Sequence, residues 1–517
     1  MNKKAFAVLF GIILLIALFF RLSQLELRPM HHDEANQAVK FGNLLEKGEY
    51  KYDRFDHHGP SLYYLTLPFA WVLSGNDFSN LTEGVLRFVP SLFGVGLILF
   101  LLLLKDSLSL KSILFSALFI SISPIMVFFS RFYIQEMLLA FFTMGFLASF
   151  WLILRTQKSS WHITAGLCAG FMFATKETSI IIFGSFLGSL VLLKALFSSE
   201  TPPRHPLKNL ISPRFFYLLG AAFLVWLVFY SSFFHHMKGL LDSFCSFGIY
   251  FKRAGGAGAH SHPWVYYLKM LMFSPYRTGP VWSEALVVIS ALIGSIYGFT
   301  KKPTIRENSS FIGFVFFYTL ISFLIFSLIP YKTPWNIIPF YLGMLILAGC
   351  GITFILGLFQ KLWLKTAVLA LILITTFHLA WQSWRANFKY YADPRNPYVY
   401  AHTSTDFLNL VQRINDIAKV HPDHKNMLIK VITDPHEMWP LPWYLREFER
   451  VGYWTETKEV GKIKGTPVII SSKEQTEQLY PLLQGQYLSE FYGLRNEVLL
   501  SIHIRFDLWN RFLEKRS

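Results

Sequence analysis

The sequence predicts an all-α polytopic membrane protein that carries a small α/β domain at its C-terminal end. Of the 517 residues, 53% are hydrophobic and 15% are charged, whereas soluble domains carry about 25% charged residues. Long apolar segments recur through residues 1–384, and about 20 apolar residues in a helix span the hydrocarbon core of a bilayer. Residues 385–517 alternate helical and strand patterns instead, which indicates a separate α/β domain.

About eleven membrane spans follow from these segments and from the basic residues between them. Loops rich in lysine and arginine remain cytoplasmic. With Lys3 and Lys4 inside, every even-numbered span ends in a basic cytoplasmic loop. The short fifth span ends near Thr175, and omitting it would invert the orientation of every later span. The long apolar segments lie at residues 5–20, 92–104, 112–129, 137–154, 178–193, 215–234, 285–299, 311–330, 337–359 and 366–381.

This topology predicts a cytoplasmic N-terminus and three regions on the outer side of the plasma (inner) membrane. These regions are the external loops 22–82 and 235–281 and the extracytoplasmic C-terminal domain 385–517. The net charge of +16 lies largely in the short cytoplasmic loops, so the partner that it indicates is the lipid bilayer and not nucleic acid. The three cysteines are far apart and have no paired spacing.

The external regions contain periodic patterns of their own. Apolar residues recur at helical spacing in "EANQAVKFGNLLEKG" and "SLYYLTLPFAWVLSG", which predicts two interfacial helices within the first external loop. In the C-terminal domain, "STDFLNLVQRINDIAKV" has a helical pattern, and "MLIKVIT" and "TPVIISS" have the composition of strands.

Ionisable side chains cluster where the predicted spans reach the external face. The first loop holds Asp33 and Glu34, "SRFYIQEM" holds Arg131 and Glu136, and "TKET" holds Lys176. Few charges lie near the middle of the bilayer, where ionisable residues usually mark a transport path. The pattern therefore predicts a polar site at the external membrane boundary, beneath the first loop.

Taken singly, each of these motifs also has a structural alternative. Asp33 and Glu34 suit the first turn of a helix, where negative charge is favoured, and Lys176 suits a lysine that reaches from a span end toward the interface. Histidine pairs supply metal-ligand side chains but also suit a solvated loop, so a divalent cation stays possible and no cofactor is certain. The candidate metal ligands are His31, His32 and His57.

Three motifs resemble the GT-C class of glycosyltransferases, which take a sugar from a polyprenyl-phosphate carrier. They are "HHDEANQAVKFGNLLEKGEYKYDRFDHHGPSLYYLT", "SPIMVFFSRFYIQEM" and "AGFMFATKETSI". Three further motifs, "YKTPWN", "YYADPRNPYVYAHTSTD" and "WPLPWYLREFERVGYW", resemble more closely the flippase-activity-associated proteins, a subfamily of bacteria and archaea. The resemblance covers most of the chain and implies a GT-C-like membrane domain over residues 1–384.

The resemblance implies a polyprenyl-phosphate-linked sugar donor, a glycan, lipid or protein acceptor, and inversion at the sugar. Asp33 would be the catalytic base, and Glu34 and Glu136 would assist it as further catalytic carboxylates. The implied substrate-binding residues, which hold the lipid phosphate or the sugar, are His58, Tyr64, Arg131, Lys176, Arg277, Lys332 and Trp335. Two other functions stay open: a carrier or flippase for a lipid-linked sugar, and a non-enzymatic accessory subunit of a glycan pathway.

Overall fold

The structure, a computed structural model, describes residues 1–56, 58–196, 212–255, 258, 260–276, 279–299 and 307–516. It is mostly helical, at 66%, with several apolar helices and a small C-terminal sheet domain. The predicted fold class is therefore confirmed. Two residues predicted as site residues, His57 and Arg277, lie outside the described part of the chain.

Each predicted span corresponds to a helix or to a pair of helices. The helices of the membrane domain and its external loops are α1 (Lys3–Leu22), α2 (His32–Lys47), α3 (Ser61–Leu73), α4 (Glu83–Leu99), α5 (Leu110–Ile122), α6 (Pro124–Ser130), α7 (Glu136–Thr156), α8 (Ser159–Thr175), α9 (Ser179–Leu196), α10 (Phe215–Tyr230), α11 (Lys238–Ala254), α12 (Tyr266–Met272), α13 (Ala285–Gly298), α14 (Ser309–Leu328), α15 (Ile338–Leu358) and α16 (Leu362–Trp384).

Seven of the described helices are long and apolar enough to cross a membrane, or eight if the bent pair α5–α6 is one span. The other predicted spans are the shorter helices α8, α10 and α13, with 17, 16 and 14 residues. The chain is therefore a multi-pass membrane protein, and the number of eleven spans and the orientation of the termini stay predictions.

The bend between α5 and α6 has a local chemical cause. The two helices meet at 58° across Ser123 and Pro124, and proline at the first position suits a helix start because it has no amide hydrogen to leave unpaired. The buried Glu284 carboxylate accepts hydrogen bonds from the Ser123 hydroxyl and the Ile125 amide, both at 3.0 Å. The amide groups at the new helix start are thereby satisfied inside the protein.

The C-terminal region forms a five-stranded mixed sheet with helices packed against it. The strands lie in the order β2-β1-β3-β5-β4; β1 is parallel to β2 and β3, and β5 is antiparallel to β3 and β4. The α/β prediction is confirmed, whereas the boundary at residue 384 stays a prediction. The elements are α17 (Asp406–Val420), β1 (Ile429–Ile432), α18 (Leu441–Tyr444), β2 (Val451–Trp454), β3 (Val468–Ser472), α19 (Lys473–Leu483), β4 (Tyr487–Arg495), β5 (Val498–Arg505) and α20 (Phe506–Arg516).

The C-terminal domain contacts the first external loop through the "WPLPWYLREFERVGYW" segment. The Trp443 indole donates a hydrogen bond to Glu83 at 2.9 Å, and the Tyr444 hydroxyl accepts one from the Met30 amide at 2.9 Å. Arg446 donates to the Leu81 carbonyl at 2.7 Å. This aromatic segment therefore packs on its own chain, next to the loop that carries the Asp33-Glu34 pair.

Candidate active site

A cavity of about 420 Å³ lies between the first loop, residues 22–82, and the ends of the membrane helices that adjoin it. It brings together five residues that the sequence singled out: Asp33, His58, Glu136, Lys176 and Trp335. Their segments are far apart in the chain, so only the fold joins them. The remaining lining residues are Gln37, Ile134, Gln135, Glu177, Thr178, Ile180, Ile181, Phe247, Tyr250, Phe251, Ala254, Ile325, Phe326, Ile329, Tyr331, Thr333 and Asn336.

Asp33 reaches the cavity from the first turn of α2. The side chain of Asp33 is 35% exposed, and the first turn of a helix favours its negative charge. His31 caps this helix: its Nδ1 accepts a hydrogen bond from the Asp33 amide at 3.0 Å. The carboxylate therefore sits at a structured helix start, open to the cavity.

The neighbouring Glu34 points the other way and is fully buried. Its two carboxylate oxygens accept a forked pair of hydrogen bonds from Arg87 at 2.8 and 2.7 Å, and the Tyr133 amide donates a third at 2.9 Å. Burial raises the pKa of Glu34, but the guanidinium groups of Arg87 and Arg28 outweigh this and hold it below its ordinary value. Glu34 does not line the cavity, and its contacts are those of a structural anchor.

Glu136 and Lys176 form a buried ion pair in the cavity wall. Glu136 begins α7, and Lys176 follows the last residue of α8, so the pair joins two span ends. One carboxylate oxygen, Oε2 of Glu136, is buried and has no hydrogen-bond partner among the described residues. An unpaired buried acceptor costs free energy, so this oxygen is suited to accept a hydrogen bond from a bound ligand.

His58 lies on the same wall in a second polar cluster. Its Nδ1 is 2.7 Å from the buried Glu177 carboxylate and 3.0 Å from the Tyr250 hydroxyl. Glu177 also accepts a hydrogen bond from Tyr52 at 3.3 Å. The carboxylate thus holds the imidazole by one ring nitrogen, a contact that orients a histidine side chain.

Two side-chain amides complete the polar lining. Gln37 and Gln135 donate to each other's carbonyl oxygens at 2.8 and 3.1 Å, and Tyr63 donates to the Gln37 oxygen. Gln37 lies one helical turn after Asp33, so both side chains share one face of α2. Amides both donate and accept hydrogen bonds, which is what recognition of sugar hydroxyls requires.

Arg131, predicted to bind substrate phosphate, does not line the cavity. Its guanidinium donates to the carbonyl oxygens of Phe20 at 3.0 Å and Gln24 at 2.9 Å, at the C-terminal end of α1. Arg21 in turn donates to the Ile120 carbonyl at 2.7 Å, at the end of α5. Each of these two arginines thus satisfies free carbonyls at the end of a neighbouring helix, and the contacts are structural.

Tyr64 and Lys332 also lie outside the cavity lining. The Tyr64 ring packs against Phe229 and Phe233, with centroid distances of 5.6 and 4.9 Å. The Lys332 ammonium donates to the carbonyl of His262 at 3.1 Å and to that of Ile329. Both residues support segments that flank the cavity and do not face it.

The two candidate metal ligands in the described part of the chain, His31 and His32, have separate surroundings. Both ring nitrogens of His31 lie in hydrogen bonds, to the Asp33 amide and to the Tyr400 carbonyl. The His32 ring lies 6.0 Å from that of Trp439 and 6.5 Å from that of His436, against the C-terminal domain. Among the described residues, no group of three histidine, cysteine, aspartate or glutamate side chains is arranged to hold a metal ion. His57 lies outside the described residues, and a divalent cation stays a prediction.

Reasoning from the sequence assigned no role to Gln37, Gln135, Glu177 and Tyr250. Gln37 carries a usable signal, since it lies four residues after Asp33 in a predicted helix. Glu177 adjoins Lys176 and lies at the same span end. Tyr250 has no local signal, because it reaches the cavity only through the packing of α11 against the first loop.

Comparisons with known proteins agree with this architecture. No protein-family model and no curated protein matches the chain. The structure of ArnT from Cupriavidus metallidurans bound to undecaprenyl phosphate has a TM-score of 0.62 and 15% identity, covering 97% of this chain and 98% of that one. The archaeal oligosaccharyltransferase AglB from Archaeoglobus fulgidus, in complex with an inhibitory peptide and a dolichol-phosphate, has a TM-score of 0.58 and 13% identity, covering 96% and 74%.

These likenesses extend over nearly the whole chain, including the C-terminal domain. At such low identity they establish the fold and not the activity. The fold is the GT-C glycosyltransferase fold, as the motifs in the membrane domain predicted. Membership of the flippase-activity-associated subfamily stays a prediction.

Proposed function

We propose that this GT-C-fold chain is a membrane glycosyltransferase that transfers a sugar from a polyprenyl-phosphate donor to an acceptor hydroxyl. The reaction takes place on the external face of the membrane and inverts the anomeric centre. The observation that carries the proposal is the shared cavity, in which the partly exposed Asp33 carboxylate lies with the Lys176 ammonium. The volume of about 420 Å³ is within the usual range of small-molecule sites.

In the proposed reaction, Asp33 is the general base. The acceptor oxygen attacks the anomeric carbon from the side opposite the phosphate, and its proton passes to the Asp33 carboxylate. The bond between the anomeric carbon and the phosphate oxygen breaks, and the electron pair leaves with the lipid phosphate. Because phosphate departs without protonation, one carboxylate is enough, whereas glycosidases use two.

Lys176 is the cation that supports the departing phosphate. Its ammonium is paired with Glu136 in the free cavity, so an arriving phosphate exchanges for that carboxylate. Glu136 is then available to accept hydrogen bonds from sugar hydroxyls. The apolar part of the wall, which includes Ile180, Ile181 and Phe326, suits the first prenyl units of the donor.

Two alternatives remain distinct from this proposal. A carrier for a lipid-linked sugar is expected to place polar groups near the middle of the bilayer, whereas Asp33, Glu136 and Lys176 lie at span ends or in a loop. An accessory subunit is expected to offer a binding surface to its partner. The aromatic segment 439–454, a candidate for such a surface, contacts the first loop of its own chain through Tyr444.

Purified protein in liposomes distinguishes these functions. We expect radiolabelled sugar to move from undecaprenyl-phosphate-linked glucose, mannose or another sugar in a tested panel to added cell-envelope acceptor, with stoichiometric release of undecaprenyl phosphate. A protein that never consumes a donor but moves the labelled lipid between leaflets is a carrier. A protein that does neither, alone or with its membrane acceptors, contradicts the proposed transferase.

Replacing Lys176 by methionine is expected to weaken binding of undecaprenyl phosphate by about 10- to 100-fold, since a hydrogen bond to a charged group contributes about 1.5–3 kcal/mol. The measurement is a titration of the detergent-solubilised protein with undecaprenyl phosphate. Lys40→Met is the matched control, because Lys40 pairs with Asp56 at 2.7 Å and does not line the cavity. Equal affinity of the two variants for undecaprenyl phosphate would show that Lys176 does not bind the phosphate.

A further inference from the structure

We infer that His31 is a positioning residue, which aims the Asp33 carboxylate into the cavity by capping α2. This inference rests on the proposed transferase, in which Asp33 is the base. It gives the first histidine of the "HHDEA" motif a task other than metal binding. Two hydrogen bonds, one at each ring nitrogen, carry the argument.

The first hydrogen bond fixes the backbone at Asp33. The Asp33 amide donates to Nδ1 of His31 at 3.0 Å, while the His31 amide donates to the Glu34 carboxylate at 3.1 Å. These reciprocal bonds form a capping box around the first turn of α2. Because Glu34 is itself locked to Arg87 by two hydrogen bonds, the backbone on either side of Asp33 is anchored inside the protein.

The second hydrogen bond fixes the ring. Since Nδ1 accepts, the proton of the neutral imidazole lies on Nε2, which donates to the Tyr400 carbonyl at 3.1 Å. Burial lowers the pKa of His31, which favours this neutral form. Tyr400 lies in the segment between α16 and α17, so this segment sets which nitrogen faces Asp33.

Packing prevents the ring from turning. The His31 side chain is 4% exposed, with ring centroids of His402 at 4.7 Å and Phe132 at 5.1 Å. Trp335, which also lines the cavity, lies edge-on at 6.2 Å. A metal ion on His31 would displace one of the two hydrogen bonds, whereas the neutral ring satisfies both at once.

The chain contains the same local contact in a place remote from the cavity lining. His421 accepts a hydrogen bond from the Asp423 amide at Nδ1, at 3.1 Å, two residues further along. This contact lies at the end of α17 in the C-terminal domain. It provides a matched control for the loss of a hydrogen bond between a histidine ring and an amide two residues later, without an effect on Asp33.

The test compares His31→Leu, His31→Asn and His421→Leu in the transfer assay. We expect His31→Leu to lower kcat about 100-fold, since a small misplacement of a catalytic group has an effect of this size, with KM for the donor unchanged within about 2-fold. Asparagine is a preferred helix cap, so His31→Asn is expected to keep kcat within about 3-fold of wild type. His421→Leu is expected to leave both constants unchanged.

Hydrogen exchange gives a readout that does not depend on activity. Exchange at the Asp33 amide, followed in a peptide that covers residues 30–36, is expected to be at least about 10-fold faster in His31→Leu and near wild type in His31→Asn. Unchanged exchange or unchanged kcat in His31→Leu overturns the inference, as does a His31→Asn variant that fails like His31→Leu. Failure of the proposed function is a separate result, seen as absence of transfer by the wild-type protein.

Discussion

Replacing Asp33 by asparagine is expected to lower kcat for sugar transfer by about 10²- to 10⁴-fold, the usual contribution of a general base. The amide is nearly the same size as the carboxylate but cannot accept the acceptor's proton. Undecaprenyl phosphate should bind as before, because Lys176 and the apolar wall of the cavity are unchanged. Single-turnover transfer in liposomes and a lipid-phosphate titration measure the two effects separately.

The control for this substitution is Glu49→Gln, which neutralises an exposed carboxylate in the same external loop. It is expected to transfer sugar at the wild-type rate. Transfer by Asp33→Asn within a factor of a few of wild type would exclude Asp33 as the base. The candidates for the base would then be the other carboxylates of the cavity wall, Glu136 and Glu177.

Replacing Glu34 by glutamine is expected to destabilise the protein by about 3–5 kcal/mol, the cost of removing one partner from a buried ion pair. Arg87 is 1% exposed and would lose the carboxylate that accepts two of its hydrogen bonds. The free energy of unfolding, measured by denaturant titration of the purified protein in detergent, reports the loss. Asp33→Asn is the matched comparison, since it makes the same change one residue earlier, at a side chain that is 35% exposed.

The two adjacent carboxylates should therefore have different effects when they are replaced. Loss of Asp33 should lower the activity, and loss of Glu34 should lower the stability. Because the pKa of Glu34 is held below its ordinary value, the ion pair of Glu34 contributes fully to stability when the pH is above the ordinary glutamate pKa of about 4.3. The contribution is lost as the pH falls through the folded-state pKa. A Glu34→Gln variant as stable as wild type at neutral pH would contradict the structural role of the pair.

The membrane domain was predictable because its signal is local. Apolar segments of bilayer length and the two helical patterns in the first loop correspond to helices in the structure, since burial in lipid forces each segment to satisfy its own backbone. The strand patterns in the C-terminal region likewise correspond to β1 and β3 of the sheet. The bend at Pro124 and the shortness of α8, α10 and α13 depend on packing between helices.

The roles of charged residues were less predictable, because the sequence does not show which group a charged side chain will contact. Arg131 and Lys176 both lie near the outer ends of spans, yet Arg131 binds the carbonyls at the end of α1, and Lys176 faces the cavity. His31 has the side chain of a metal ligand, but the fold occupies both of its ring nitrogens. Tyr250 reaches the cavity from a loop helix about 200 residues away from Asp33.

The sequence by itself predicted the class of protein and the helical segments, and it singled out the Asp33-Glu34 pair as a candidate site. Only the tertiary structure decided which of the two carboxylates faces the cavity. Neighbouring residues in a helix point about 100° apart, so the two carboxylates cannot both face the same way. Arg87 holds Glu34 inside, and Asp33 is thereby left facing the space that a substrate can enter.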